Sequence, residues 1–353
     1  MFCIAAFIIL LFMGAVSAKY RRYLAQAWDC TLRRVTFRPC DTSFKQDIKD
    51  RMLAPLATRS PQLVRPAAVA LEVVAVFLVL LTVWSGYEVV KSGLNLLVYG
   101  TCNKQNSESC SLGAEACSIG AITPSFLDSL REGDVIGAFG NEFSSLGETI
   151  SAIPSRLQSW EAEDYLPENV TYLREYSADK PTAVEAIDPG CVFCRQLFAN
   201  ITEAGFDDRY NLAYIAAPIA SDGVYKFPNS LLVTQYLEAL RLHPLDGAET
   251  PVDWQVLERI YTGVNEKGTS YQSVINGREA PVVVELLYGW LSEFGLTAEH
   301  ISVVASAAES PEVAQIIAAN QALVQEKIHT VKIPTLIFDG RRHDGLVSVE
   351  NLR

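Results

Sequence analysis

Residues 181–198 read PTAVEAIDPGCVFCRQLF, and this stretch combines a strand, a turn and a helix around two cysteines. Pro181–Ile187 is a strand candidate, Asp188–Gly190 is a turn, and a helix is expected from Cys191 onward. Cys191 therefore lies at the first turn of the helix, where free backbone N–H groups and the helix dipole stabilise a thiolate. Cys194, three residues later, lies on the same face. The spacing indicates a dithiol that can close a disulfide or resolve a mixed disulfide.

A CxxC pair has three common meanings: half of a zinc site, a structural pair, or a redox dithiol. Zinc needs about four ligands, but the chain has no second CxxC and its four histidines are scattered. A strand and turn directly before the first cysteine are typical of the redox pair. The sequence therefore favours a redox dithiol and predicts no metal. It shows no recognisable quinone or flavin site, so no cofactor is expected.

The rest of the C-terminal part alternates strands and helices. A second strand is expected over Tyr210–Pro218. The following expected elements are four helices and then two strands of a hairpin around the turn 339–344: Ser230–Leu242, Val252–Tyr261, Ala280–Glu293, Pro311–His329, Pro334–Phe338 and Gly345–Val349. Ser310 before Pro311 is a good helix start. This order predicts an α/β fold with a helical insertion.

Three separated features give this part of the chain a resemblance to a known family. They are the strand–turn–CxxC–helix unit, Glu185 six residues before Cys191, and Ile333-Pro334-Thr335 opening a strand after a long helix. With them, residues 172–353 resemble the thioredoxin-fold superfamily, most closely its DsbA-like branch. The helices at about 230–330 correspond to the insertion that distinguishes DsbA-like proteins from plain thioredoxins.

The resemblance implies a role for each residue of the motif. Cys191 attacks, Cys194 resolves, and a buried Glu185 assists proton transfer at the second cysteine. The loop formed by Ile333, Pro334 and Thr335 corresponds to a cis-proline loop that presents backbone to the client chain, and Phe193 offers a hydrophobic contact surface.

The residues themselves leave alternatives open. Glu185 could lie exposed at a strand edge, because a period of two does not choose between the faces, and Pro334 could be a trans proline that starts a strand. The dipeptide Val192-Phe193 departs from the family's known pairs, with neither the His of strong oxidants nor the Gly-Pro of thioredoxin. Because Cys191 has no cationic neighbour, the direction of electron flow stays open.

Two apolar runs precede this domain, at Met1–Ala18 and Ala67–Trp84. With their flanks, each is long enough to cross a bilayer, although the first also reads as a cleaved signal peptide that lacks a basic n-region. Residues 19–65 hold 11 bases and 4 acids. Short loops rich in Lys and Arg stay in the cytoplasm. We therefore expect a two-helix anchor in the cell membrane, with everything after Trp84 outside.

The charge distribution agrees with that orientation. The net charge of −12 divides into +7 for residues 19–65, −1 for Glu72 and −18 for residues 85–353, where 36 acids meet 18 bases. A strongly acidic domain argues against a nucleic-acid partner.

The expected organisation is an anchor over residues 1–99, an extracytoplasmic linker over 100–171 with amphipathic helices interrupted at Pro154, and the α/β domain over 172–353. The linker carries three cysteines. Two of them are expected to form a structural disulfide, and a spare thiol could exchange electrons with Cys191 or link to a partner chain. These cysteines are Cys102, Cys110 and Cys117.

The leading hypothesis is a membrane-anchored extracytoplasmic thiol–disulfide oxidoreductase that acts on cysteine-containing client proteins. A partner in the lipid bilayer would supply or remove the electrons. The alternative is a non-enzymatic thioredoxin-like binding module or copper chaperone, since soft thiolates favour copper(I). Only three methionines are present in the whole chain, which gives copper(I) few companion ligands.

Overall fold

The computed structural model describes residues 50, 53–58, 60–102, 115–119, 126–221 and 223–353. The first apolar run, most of the basic loop, and Cys110 lie outside the described residues. The chain divides into two compact units, residues 1–90 and 91–353.

The described part of the first unit is dominated by one long helix, α1 (Val64–Tyr99), which begins after a 3₁₀ turn at Pro61–Leu63 and continues into the second unit. The 3₁₀ turn and α1 together form one helix of 39 residues. By its length and composition, it is the one helix among the described residues that is long and apolar enough to cross a membrane. At about 1.5 Å per residue, 36 residues measure about 54 Å, whereas a bilayer's apolar core is about 30 Å thick. The helix extends past the 67–84 run through residues 85–99, although the pair Ser85-Gly86 follows Trp84 directly.

The second unit contains the remaining elements. In chain order they are β1 (Cys117–Ser118), α2 (Phe126–Arg131), α3 (Val135–Ser151), α4 (Ile153–Leu157), β2 (Thr182–Ile187), α5 (Val192–Ala204), β3 (Asn211–Ala216), β4 (Ala220–Ser221), β5 (Val224–Tyr225), α6 (Ser230–Leu242), α7 (Val252–Thr262), α8 (Tyr271–Gly277), α9 (Ala280–Glu293), α10 (Ala298–Ala308), α11 (Pro311–Ala322), β6 (Lys332–Ile333), β7 (Thr335–Phe338), β8 (Arg341–Asp344) and α12 (Val349–Leu352). The amphipathic stretch breaks between α3 and α4, beside Pro154.

The central sheet has four strands in the order β3-β2-β7-β8. Strands β2 and β3 are parallel and are joined through α5, while β7 is antiparallel to β2 and β8 is antiparallel to β7. Every residue of β2 and β3 is buried, which fits the largely apolar segments TAVEAI and NLAYIA of strands covered on both faces. The sheet therefore forms the middle of the core, and α5 starts at one end of its central strand.

The expected hairpin is present, but its second strand was placed wrongly. The strand β8 runs over Arg341–Asp344, not over Gly345–Val349. Asp339 and Gly340 both have positive φ, 49° and 69°, as a two-residue hairpin turn that matches strand twist requires. The polar sequence of β8 can form a strand in this sheet because its charged side chains have buried partners. The Arg342 guanidinium donates to the backbone carbonyl of Val98 at 3.1 Å and also contacts Asp344.

Helices α6–α11 form the insertion between β3 and β6, and Ser310 caps α11 by accepting from the Val313 N–H, as the sequence predicts. Two of the helices, α8 and α10, were not expected from the sequence. A buried ion cluster ties the insertion to the sheet. The Arg241 guanidinium contacts Asp253 at 3.1 Å and lies 3.8 Å from the Tyr214 ring centroid on β3.

Candidate active site

The two cysteines of the CxxC motif lie at the start of α5. Cys191 is the N-cap residue, with extended backbone, and Cys194 is inside the first turn. Neither side chain has any exposed surface, at 0% for both. The helix begins here because the turn Asp188–Gly190 ends β2 and its Asp188 carbonyl accepts from the Cys191 N–H at 2.9 Å.

The loop before β7 lies directly beside Cys191. The Ile333–Pro334 peptide bond is cis, and the Ile333 carbonyl oxygen lies 3.6 Å from the Cys191 Sγ. Thr335 is buried, and its hydroxyl donates to the Lys332 carbonyl at 2.7 Å. The backbone of Ile333 therefore faces the motif, while the Thr335 side chain braces the loop from within.

These observations complete the pattern of sheet order, CxxC at a helix start, cis proline before an antiparallel strand, and a helical insertion. The domain has a thioredoxin-like α/β fold with a helical insertion. The α/β prediction with an insertion is confirmed. Of the two expected membrane helices, the described residues contain one candidate.

Comparison with solved structures returned several proteins at low sequence identity. A thioredoxin-like oxidoreductase from Silicibacter pomeroyi DSS-3 is 21% identical, over 54% of this chain and 92% of that chain, with a TM-score of 0.37. The thiol-disulfide exchange protein alpha-DsbA2 from Wolbachia pipientis is 15% identical, over 52% and 83%, with a TM-score of 0.37. Proteus mirabilis ScsC is 11% identical, over 64% and 93%, with a TM-score of 0.31. No protein-family model and no curated protein matches the chain.

Glu185 lies in the middle of β2 with 3% of its surface exposed. Its Oε1 has no hydrogen-bond partner, and burial raises the pKa of this carboxyl to about 8. Burial and then the charge of Glu185 also raise the pKa of the Cys194 thiol well above its usual value. The two groups therefore share a pocket that disfavours two negative charges.

Asp188 was read from the sequence only as a turn residue, but its carboxylate organises the site. It accepts from the Gly190 N–H at 2.8 Å, from the Ile219 N–H at 2.7 Å and from the Ser230 hydroxyl. Burial raises its pKa to about 6, against the opposing effect of these hydrogen bonds. An Asp directly before Pro-Gly, ahead of the first cysteine, was the available signal.

The insertion holds the loop from the other side. The Gln272 side-chain amide donates to the carbonyls of Pro189 and Cys191, each at 2.9 Å, and Asn276 donates to the Gly190 carbonyl at 2.9 Å. These carbonyls are not paired within a strand. The hydrogen bonds from the insertion therefore hold the backbone of the loop that carries Cys191 in place.

Gly190 is confined by the same packing. A Cβ added there would lie 2.5 Å from both Cβ and Cγ of Phe227, and 2.9 Å from Oδ1 of Asn276. Because the Phe227 Cβ is fixed to the backbone, it cannot swing away. Glycine is thus required by a close approach of loop and insertion.

The side chains between the two cysteines face outward. Val192 is 38% exposed, and Phe193 is half-buried and packs in part against the core. They form a small apolar surface beside the motif.

Cys191 is joined to Cys117 by a disulfide with an S–S distance of 2.06 Å and a Cα–Cα distance of 6.2 Å, whereas Cys194 is a free thiol. Cys102 is disulfide-bonded as well. The structure thus joins Cys117 to the first cysteine of the CxxC motif. Among the described residues, no cluster of three or more His, Cys, Asp or Glu is arranged to hold a metal ion.

Proposed function

We propose that this chain is a membrane-anchored thiol–disulfide oxidoreductase that acts outside the cytoplasm on protein cysteines. The observation that carries the proposal is the Cys117–Cys191 disulfide. The first cysteine of the CxxC motif is bonded to a cysteine from a separate segment, while the second remains a buried thiol. This is the covalent arrangement of a mixed disulfide between such a motif and a protein cysteine.

The exchange chemistry needs only the motif and a client. A client thiolate attacks the Cys191–Cys194 disulfide at Cys191, a mixed disulfide forms, and Cys194 leaves as a thiolate. A second client thiolate then displaces Cys191, which gives an oxidised client and a reduced motif. In the reverse direction, the Cys191 thiolate attacks a client disulfide and Cys194 resolves it. The N–H groups at the start of α5 stabilise the Cys191 thiolate in both directions.

Glu185 is proposed to carry the proton of Cys194. The Cys194 thiol must lose its proton before it attacks Cys191, and it is buried away from solvent. Transfer of that proton to the ionised form of Glu185, which is a minor fraction near neutral pH because the pKa is about 8, leaves one negative charge in the pocket before and after the step. Glu185 therefore lets a thiolate form without adding charge to an apolar interior.

The client is proposed to bind at the loop Ile333–Thr335, with Phe193 as an apolar contact. Support comes from the Ile333 backbone, which lies beside Cys191 and already pairs with an extended cysteine segment. Main-chain pairing of this kind accepts many sequences, which suits an enzyme that reads cysteines in varied clients.

The anchored location rests on the helix α1 and on the basic loop 19–65, which favours the cytoplasmic side. The domain after α1 would then face outward, where disulfides persist. A membrane partner would supply or accept electrons. The reduction potential of the Cys191–Cys194 couple sets the direction of that flow.

The direct test is turnover of a model cysteine peptide by the full chain in detergent. Cys191→Ser should abolish turnover, and Cys194→Ser should complete no catalytic cycle, because the motif then lacks the thiol that resolves a mixed disulfide. Cys3→Ser, in the first apolar run, is a control with the same chemical change and should keep the activity. Turnover by Cys191→Ser at the rate of the unmodified chain would refute the proposed function.

A further inference from the structure

The segment 115–119 is attached to the site by more than its disulfide. Cys117 pairs with Ile333, and Ser118 pairs with Lys332, in antiparallel register. The Ile119 N–H donates to the Val331 carbonyl at 2.9 Å, and the Leu346 N–H donates to the Glu115 carbonyl at 2.8 Å. The segment is therefore held as an added strand between two backbone stretches of the domain.

The side chains of this added strand are buried as well. Ala116, Cys117 and Ile119 each have less than a tenth of their surface exposed. The segment thus fits the loop through backbone pairing, a covalent bond and apolar contact together.

Occupation of this edge closes the site to any other chain. Cys191 and Cys194 have no exposed surface in this arrangement, and the backbone of Ile333 is already paired. A client cannot reach Cys191 until the segment 115–119 leaves.

We propose that the segment Glu115–Ile119 is an internal substrate of the CxxC motif, and that Cys117 is a third redox-active cysteine that closes and opens the client site. This inference rests on the proposed oxidoreductase function. In the closed state the chain stores its oxidising equivalent as Cys117–Cys191. In the open state the same equivalent is Cys191–Cys194, and Cys117 is a thiol.

The conversion is a single intramolecular exchange that needs no outside oxidant or reductant. The Cys194 thiolate attacks the Cys191 Sγ, the Cys191–Cys194 bond forms, and the Cys117–Cys191 bond breaks. Cys117 leaves with the electron pair as a thiolate and takes up a proton from solvent, while the Cys194 proton passes to Glu185 and is then released to solvent. One disulfide is present before and after, so the two states are isomers.

The internal cysteine has a large advantage over a free client. A tethered group acts at an effective concentration on the order of millimolar, whereas client cysteines at micromolar concentration are roughly a thousandfold more dilute. Removal of the Cys117 thiol should therefore raise the rate of exchange with a client peptide by at least about tenfold.

The first experiment maps disulfides in the full chain without reduction. In Cys194→Ser the exchange that opens the site is absent, so Cys191 should be found joined to Cys117. A Cys191 found as a free thiol, or joined to any other cysteine, overturns the proposal.

The second experiment compares exchange rates with a model cysteine peptide. Cys117→Ser should exceed the unmodified chain at least tenfold, and both should far exceed Cys191→Ser. Equal rates for Cys117→Ser and the unmodified chain, both lost in Cys191→Ser, would overturn the internal substrate and leave the proposed function standing. Rates that never exceed Cys191→Ser would overturn the proposed function itself.

A third pair of variants separates the strand pairing from the thiol. Ile119→Pro removes the N–H that donates to Val331, whereas Ile119→Ala keeps it and removes the same apolar contact. Ile119→Pro should therefore exchange faster than Ile119→Ala. An equal rate for the two contradicts a segment held by backbone pairing.

Discussion

Replacement of Glu185 by Gln should change how the stability of the protein depends on pH. Glu185 is fully enclosed in β2, its Oε1 lacks a partner, and burial raises its pKa from 4.5 to about 8. Gln has the same shape and does not ionise. The comparison of the two proteins therefore isolates the cost of a carboxylate in this pocket.

The sign follows from proton binding. Between pH 4.5 and 8 the folded state holds the Glu185 proton and the unfolded state does not, so stability falls as pH rises through this window. The slope reaches about 1.4 kcal/mol per pH unit, which amounts to about 3 kcal/mol between pH 5 and pH 8. Below pH 4.5 the carboxyl is protonated in both states and this contribution to stability is fully present.

The assay is urea unfolding of the oxidised full chain in detergent, followed by tryptophan fluorescence at pH 5, 6, 7 and 8. The unmodified chain should lose about 3 kcal/mol relative to Glu185→Gln across that range. Asp188 contributes to both proteins equally and cancels in the difference. Glu203→Gln, at an exposed site on α5, is the matched control and should show no such trend. Parallel pH curves for Glu185→Gln and the unmodified chain would refute the buried, protonated carboxyl.

Three further outcomes are expected. Gly190→Ala forces its new Cβ against Phe227 and should destabilise the folded state by about 1–3 kcal/mol. Urea unfolding measures this loss against that of Gly205→Ala, whose Cβ has more space but a strained φ. Equal losses of unfolding free energy for the two variants would contradict the clash. Arg241→Met leaves the buried carboxylates of Asp253 and Glu238 without their cationic partner and should cost about 3–5 kcal/mol, which thermal unfolding checks; a loss below 1 kcal/mol would contradict a coupled ion cluster. Protease added outside intact cells should cut the domain after α1 and spare the basic loop. Cleavage within that loop would contradict the proposed orientation of the chain in the membrane.

Local signals were enough for much of the fold. Ser310 before Pro311 predicted a helix start that the structure contains, because a cap acts on N–H groups within one turn. The hairpin turn is predicted over residues 339–344, but in the structure it occupies only Asp339 and Gly340, so the second strand starts earlier than expected. Polar residues in Arg341–Asp344 resembled a loop until the structure showed partners for Arg342 elsewhere in the chain.

The sequence by itself determined that a CxxC pair opens a helix after a strand and a turn, since strand, turn and helix start all depend on neighbours within a few residues. Only the tertiary structure decided which face of β2 holds Glu185, because alternation does not choose between two covered faces. It also decided the partner of Cys191. Cys117 is 74 residues away, and three linker cysteines have no local pattern that ranks them. Their pairing depends on which one reaches the edge beside Ile333, and that is a property of the folded domain.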